Sequence, residues 1–181
     1  MKILYKTIRV SRFLQELHGR QARIIDLIVT YLSAVIGTIV SVYLAQEIAL
    51  TVFKSVLLAL VAFDISGGVV ANFTAGTQNY YWENPKRRYK FILLHLLHPV
   101  LLIWIFTDDL FYIFFISGFT LLAIALINRI KNSSTQKLTA SFFSFIGVTL
   151  SFVISVNDAV LQLLIILFII KLIIAFSVKW N

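Results

Sequence analysis

The chain has 181 residues, of which 60% are hydrophobic and 13% are charged, and its formal net charge is +8. This composition and a mean hydropathy of +0.92 exclude an ordinary soluble globular domain and indicate helices surrounded by lipid. The absence of cysteine excludes disulfides, thiolate nucleophiles and cysteine-ligated metals, and no P-loop, dinucleotide-binding glycine motif or HExxH sequence occurs.

Residues 1–23 form a basic arm in which Lys and Arg interrupt a series of apolar side chains. The apolar members are Ile3, Ile8, Phe13, Leu14 and Leu17. This pattern predicts an amphipathic helix that lies along the cytoplasmic surface of a membrane. A signal peptide is excluded because the apolar core and the small-residue cleavage site are missing.

Six apolar segments follow the arm, and each approaches the 20 or so residues that a spanning helix needs. They lie at about 24–45, 50–73, 90–107, 110–128, 138–156 and 159–178. The connections leave no room for another domain, so residues 24–181 are predicted to be one all-α, polytopic membrane domain of six transmembrane helices. Very short turns at 46–47, 107–109 and 157–158 predict three hairpins with tight outer turns.

A stripe of small and polar residues runs along one face of the first segment. Its members are spaced three or four residues apart and are Asp26, Thr30, Ser33, Gly37 and Ser41. Small side chains let helix backbones approach closely in lipid, so the stripe predicts a packing seam.

The distribution of Lys and Arg predicts the orientation. Bases concentrate in the arm, in the loops near 74–90 and 129–137 and at the C-terminus, whereas the three short turns contain acids and no base. Because bases near helix ends stay on the cytoplasmic side, both termini are predicted to be cytoplasmic in the plasma (inner) membrane. The same rule explains the net charge without a nucleic-acid partner, and it predicts that Arg87 and Arg88 bind anionic lipid head groups.

Three ionisable residues inside the apolar segments predict a functional site. Asp64 lies in the second segment, and His95 and His98 lie in the third. At a rise of about 1.5 Å per residue, all three fall at one level in the inner half of the bilayer. Ionisable groups in hydrocarbon are costly and usually functional, so we expect an acid–base centre or a divalent-metal site here. The alternative is an Asp–His pair that only holds two helices together.

Neighbouring residues extend this predicted site. Gly67 and Gly68 remove side-chain bulk beside Asp64, so we expect the third segment to approach closely enough for a carboxylate–imidazole hydrogen bond. Asn72 is placed to line the cytoplasmic mouth. Pro99 has no N–H for the His95 carbonyl, which predicts a kink at the histidines. Lys171 in the sixth segment lies near the same level and is an alternative partner for Asp64.

The run from Asp64 to Asn72 resembles the first half of the CDP-alcohol phosphotransferase signature, D-x2-D-G-x2-A-R-x8-G-x3-D-x3-D. That family also has six helices and an amphipathic N-terminal arm. The positions of its second aspartate, arginine, later glycine and last two aspartates are held here by Gly67, Asn72, Tyr81, Pro85 and Tyr89. The resemblance covers nine residues without the metal-binding carboxylates, so it implies no catalytic residue. Size and helix number are similar to the S subunits of energy-coupling-factor vitamin transporters, whose ligand site is closed by outer loops that this chain almost lacks.

These observations favour an intramembrane acid–base or metal site in the cytoplasmic leaflet that binds or acts on a lipid-like or small amphiphilic ligand. A proton-coupled transporter of small solutes is an alternative that requires polar residues continuing to the outer face. A non-catalytic membrane subunit is the other alternative.

Overall fold

The computed structural model describes residues 3–180, and its fold is helical except for one small β-hairpin. Six helical segments are long and apolar enough to cross a membrane: Ile24–Leu44, Val52–Ala71, Pro85–Ile105, Thr107–Ile127, Ser133–Val153 and Ala159–Phe176. The prediction of a helical fold with six helices long and apolar enough to span a membrane is confirmed. Met1, Lys2 and Asn181, which the predicted arm and membrane domain included, lie outside the described residues.

The α-helices of residues 3–180 are, in chain order, α1 (Gln15–His18), α2 (Ile24–Leu44), α3 (Val52–Ala71), α4 (Ala75–Trp82), α5 (Pro85–Leu94), α6 (Leu97–Ile105), α7 (Leu110–Ile127), α8 (Ser133–Val153) and α9 (Ala159–Ile169). Helix α9 continues as a π-helical segment, Ile170–Phe176. Single turns of 3-10 helix at Arg12–Leu14 and Thr107–Asp109 complete the helical elements.

The arm is a β-hairpin and not the continuous amphipathic helix that its sequence pattern predicted. Strand β1 (Thr7–Arg9) pairs antiparallel with β2 (Gln21–Arg23), and the one-turn α1 lies between the strands. Gly19 ends α1 with a φ of +74°, a conformation that suits glycine.

Contacts with α4 explain why the arm folds in this way. The Thr77 hydroxyl donates to the Leu17 carbonyl at 2.8 Å, and the Tyr81 hydroxyl donates to the Glu16 carbonyl at 2.8 Å. Gly76, in the first turn of α4, lies so close to the His18 and Gln21 carbonyls that a side chain would overlap them. These partners are distant in sequence, so local periodicity could not reveal them. The end of the bundle that the arm contacts is called the arm end below.

Helices α2 and α3 pack along the predicted seam of small residues. Gly37 faces Ser66 so closely that a Cβ at Gly37 would overlap the Ser66 side chain. A Cβ at Gly67 would lie 3.0 Å from the Ala34 Cβ. The Ser33 hydroxyl donates to the Ser66 carbonyl at 3.1 Å across the same interface. Close backbone approach therefore holds this pair together, as expected in lipid.

Helix α9 is surrounded by the other helices and forms the centre of the apolar core. Six of its side chains are completely buried: Val160, Leu161, Leu164, Ile165, Phe168 and Ile169. The helix contacts α2, α3, α7 and α8. The π-helical segment that follows it thus begins inside the bundle, where a polar side chain needs a protein partner.

The third spanning segment is interrupted at His95 and Leu96, between α5 and α6. Pro99 cannot donate to the His95 carbonyl, which instead accepts the His98 N–H at 3.4 Å. The interruption agrees with the kink predicted from Pro99 and brings both imidazoles to the side of the helix that faces α3.

Candidate functional site

Asp64 of α3 accepts hydrogen bonds from two cationic or ionisable side chains on a single oxygen. Lys171 Nζ and His98 Nε2 each lie 2.6 Å from Asp64 Oδ2, and Lys171 Nζ also lies 3.2 Å from the Asp64 carbonyl oxygen. The Lys171 side chain is 3% exposed and that of Asp64 is 43% exposed. The two pairings that the sequence left open, with histidine and with Lys171, therefore occur together.

Gly68 makes the Lys171 pairing possible. A Cβ at Gly68 would overlap the Lys171 side chain, so only a residue without one lets the ammonium pass α3 and reach Asp64. Gly67 has a different contact from the one expected, because it packs against Ala34 of α2. The glycines beside Asp64 thus admit α2 and Lys171, whereas the sequence suggested an approach of the histidine helix.

The π-helical segment that carries Lys171 is held by two side-chain amides. Asn72 Nδ2 donates to the Lys171 carbonyl at 3.2 Å, and Gln78 Nε2 donates to the Ala175 carbonyl at 2.9 Å and to the Asn72 carbonyl at 2.6 Å. Wider helical turns leave carbonyls without their usual donors, and π-turns recur at functional sites. Asn72 therefore positions Lys171 in addition to lining the cavity described below. Gln78 was missed because nothing in its sequence context indicates a distant carbonyl partner.

His95 does not bond to Asp64 and instead stacks in a column of rings. Its ring lies 3.9 Å from that of Phe91 and 4.9 Å from that of His98, measured between centroids. Its Nδ1 donates to the Phe91 carbonyl at 2.7 Å, so Nε2 is the unprotonated nitrogen. Within residues 3–180, neither His95 Nε2 nor His98 Nδ1 has a hydrogen-bond partner, although both atoms are buried. The site thus contains two unused imidazole acceptors.

Asp64, His95 and His98 offer ligand atoms that all lie within 4.8 Å of one another. Two imidazoles and one carboxylate are a known donor set for zinc or iron, and the two unpartnered nitrogens fit that use. Lys171 opposes it, because a divalent cation on Asp64 Oδ2 would meet an ammonium group on the same oxygen. The donor types therefore fit a metal, whereas the charge of Lys171 favours an acid–base or binding role.

A cavity of about 330 Å³ lies over this centre at the arm end. Asp64, Lys171 and His95 line it and His98 does not, and the arm contributes Phe13 and Leu17 to the lining. Its walls are mostly apolar, a composition typical of sites for small ligands. The lining residues are Phe13, Glu16, Leu17, Asp64, Gly68, Ala71, Asn72, Tyr81, Phe91, Leu94, His95 and Lys171.

Arg87 and Arg88 lie outside this cavity. Arg88 is 3% exposed and is not available as a free head-group ligand: its Nε donates to Asn128 Oδ1 at 2.5 Å, and its guanidinium lies 3.6 Å from the Trp82 ring centroid. Arg87 donates to the Tyr80 carbonyl and lies 3.6 Å from Glu83. The burial of Arg88 argues against its predicted contact with lipid, because charge counting cannot distinguish a base in lipid head groups from one packed inside a protein.

No protein-family model matches the chain, and neither a curated protein nor a solved structure resembles it detectably. The function must be inferred from the side chains just described.

Proposed function

We propose that this protein binds an amphiphilic ligand in the cytoplasmic leaflet of the plasma membrane and performs acid–base chemistry on its head group. The observation that carries this proposal is the Lys171–Asp64 pair in the lining of an apolar cavity, with His98 hydrogen-bonded to Asp64 behind it. A polar centre with apolar walls matches a molecule that has one polar end. Ionisable groups at membrane depth mark ligand sites more often than packing contacts.

The proposed topology has six helices as three hairpins, tight outer turns and both termini in the cytoplasm. It keeps the bases of the arm and of the longer loops on one side. The arm supports the placement of its own end near lipid head groups, because Phe13 and Ile3 are 91% and 75% exposed. Apolar side chains on a basic segment suit a membrane interface.

Each residue of the network has a distinct proposed role. Asp64 orients the His98 imidazole through Nε2, as the aspartate of a catalytic triad orients its histidine. Lys171 balances the carboxylate charge in a medium with few other counterions. His95 fixes the position of His98 by stacking. Proton transfer to or from a ligand would then use the Asp64 carboxylate, which lines the cavity and is hydrogen-bonded to His98.

The packing around the site favours this proposal over a proton-coupled transporter. The α3 residues one and two turns beyond Asp64, away from the arm, are Val61 and Leu58, and both are buried in the apolar core. The facing Phe168 and Ile165 of α9 are completely buried as well. A relay to the other end of the bundle would need polar groups at these positions.

A divalent metal at Asp64, His95 and His98 is a second candidate. It is favoured by the buried, unpartnered Nε2 of His95. Metal analysis of the purified protein tests it, because a stoichiometric transition metal that is lost in His95→Ala would support the metal centre. Full ligand binding in metal-free protein would favour the acid–base role.

The amphiphile proposal is tested by two leucines that differ in their relation to the cavity. Leu94 lines it, whereas the adjacent Leu93 is 66% exposed and points elsewhere. Wild type, Leu94→Trp and Leu93→Trp would be purified in nanodiscs from the same membranes, and the lipids that remain bound would be measured by mass spectrometry. We expect one amphiphile class to be enriched with wild type and Leu93→Trp and absent with Leu94→Trp.

Three identical lipid profiles would contradict ligand binding in this cavity. If a ligand is enriched, its conversion would be followed with wild type and His98→Gln. Conversion that depends on His98 supports an enzyme, whereas binding without conversion supports a carrier or a non-catalytic subunit.

A further inference from the structure

The two carboxylate oxygens of Asp64 have unequal surroundings. Oδ2 accepts both Lys171 and His98, whereas no group within residues 3–180 donates to Oδ1. The side chain is 43% exposed and lines this cavity and a smaller neighbouring one, and we infer that Oδ1, the oxygen without a protein donor, is the one that a ligand reaches. A carboxylate oxygen without a donor in an apolar setting is costly. A ligand that supplies a hydrogen-bond donor would therefore be favoured.

The charges around the cavity cancel in pairs. Asp64 is paired with Lys171, and Glu16 at the arm lies 3.0 Å from Lys90. A cationic or anionic head group would bring an uncompensated charge into an apolar cavity, which is unfavourable. An anionic head group would also face Asp64 Oδ1 directly. The donor is therefore best supplied by an uncharged group.

The volume of the cavity and the exposure of the residues at its rim indicate how much of the ligand's apolar chain lies inside it. A volume of about 330 Å³ is at the lower end for small-molecule sites. It accommodates a head group and the first part of a chain. Leu94 and Leu17, at its rim, are 54% and 42% exposed, so the remaining chain can continue into the surrounding lipid.

From these three observations we propose that the ligand is a neutral amphiphile with a free hydroxyl group, which donates to Asp64 Oδ1. The proposal rests on the proposed function, since it specifies which amphiphile the cavity takes. It excludes fatty acids, long-chain amines and phosphate-bearing lipids as preferred ligands.

Three photoreactive probes with the same twelve-carbon chain and a mid-chain diazirine test the proposal. One carries a hydroxyl, one a carboxylate and one an amine. After irradiation with protein in nanodiscs, peptide mass spectrometry maps the labelled residues. We expect the alcohol to label the segments around Phe13–Leu17 and Phe91–His95 at least about tenfold more than the other two probes, as a charge-assisted hydrogen bond allows. Excess unlabelled dodecanol should remove this labelling.

Variants identify the acceptor. Asp64→Ala should reduce alcohol labelling of the cavity about tenfold or more, whereas Glu47→Gln, at an exposed carboxylate outside the cavity, should not. Leu94→Trp should abolish labelling, and Leu93→Trp should preserve it. The leucine pair gives a result even if Asp64→Ala does not fold.

Failures of the two proposals have different signatures. If the carboxylate or amine probe labels the cavity as well as the alcohol does, the hydroxyl assignment is overturned and amphiphile binding stands. If no probe gives labelling that dodecanol removes and Leu94→Trp abolishes, amphiphile binding itself fails.

Discussion

At the scale of single residues, the ion pair between Asp64 and Lys171 has one partly exposed and one buried partner. The Asp64 side chain is 43% exposed, and the Lys171 side chain is 3% exposed. If Lys171 is removed, the carboxylate can recruit water or ligand from the cavity. If the charge of Asp64 is removed, the ammonium remains enclosed by protein with only carbonyl and imidazole groups nearby.

This asymmetry predicts unequal effects of two neutralising substitutions. Asp64→Asn should destabilise the protein by about 3–5 kcal/mol, as expected for a buried charge that loses its partner. Lys171→Met should cost about 1–2 kcal/mol, between the values for exposed and buried pairs. Reversible unfolding in mixed detergent micelles measures both. Equal losses, or a larger loss for Lys171→Met, would show that the exposure of Asp64 does not relieve its charge.

His18 provides a prediction about pH. It is 3% exposed, its Nε2 lies 3.0 Å from the Tyr31 hydroxyl, and burial lowers its pKa. Because the unfolded chain binds the proton more readily, the stability linked to His18 is fully present above about pH 6.5 and is lost as the pH falls through the lower folded pKa.

We therefore expect wild type to lose stability between about pH 7.5 and about pH 5.5 more steeply than His18→Gln. Thermal unfolding of both proteins at the two pH values measures this difference, which isolates His18 from the other histidines. Parallel pH dependence of the two proteins would mean that His18 is protonated equally in the folded and unfolded states.

At the scale of elements, the seam between α2 and α3 depends on glycine only where the backbones meet. A Cβ at Gly37 would overlap the Ser66 side chain, whereas a Cβ at Gly118 in α7 meets no atom within 4 Å. Gly37→Ala should destabilise the protein by about 1–3 kcal/mol through overpacking. Gly118→Ala should be neutral or stabilise by roughly 0.5–1 kcal/mol, because alanine favours helix. A destabilising Gly118→Ala would contradict this account of the seam.

The elements also show what the sequence could and could not predict. Spanning helices follow from the length and apolar character of each segment, and the Pro99 interruption follows from a missing N–H. The arm was predicted wrongly because its hairpin depends on α4 contacts such as that of Leu17 with Thr77. Apolar residues separated by bases fit several local structures, and these distant contacts select one of them.

For the candidate site, the sequence predicted that Asp64 and His98 share a level and left open whether Asp64 pairs with a histidine or with Lys171. Helical rise places Asp64 and His98 at one depth, since depth is a property of each helix alone. Whether Lys171 reaches Asp64 depends on how the sixth segment is rotated and on its change to π-helical turns, and no residue pattern predicts these two features. Arg88 was assigned to lipid because composition records charge and not packing.

At the scale of the whole molecule, the proposed orientation can be tested cleanly because the chain has no native cysteine. Glu47 and Asp108 are exposed in turns at one end of the bundle, and Ser133 is exposed at the arm end. In intact cells, an impermeant thiol reagent should label single cysteines at Glu47 and Asp108 and should not label one at Ser133. Labelling at Ser133 alone would show that the orientation is the opposite of the proposed one.

The residues that line the cavity come from opposite ends of the sequence. Phe13 and Leu17 precede the first spanning segment, whereas Lys171 belongs to the sixth. During synthesis the arm emerges first and must remain available until α4 has formed, and the charge of Asp64 has no ammonium partner until the sixth segment inserts. The proposed ligand binding would therefore require the completely inserted chain. A bound ligand would stabilise every segment at once and would distinguish finished molecules from partly inserted ones.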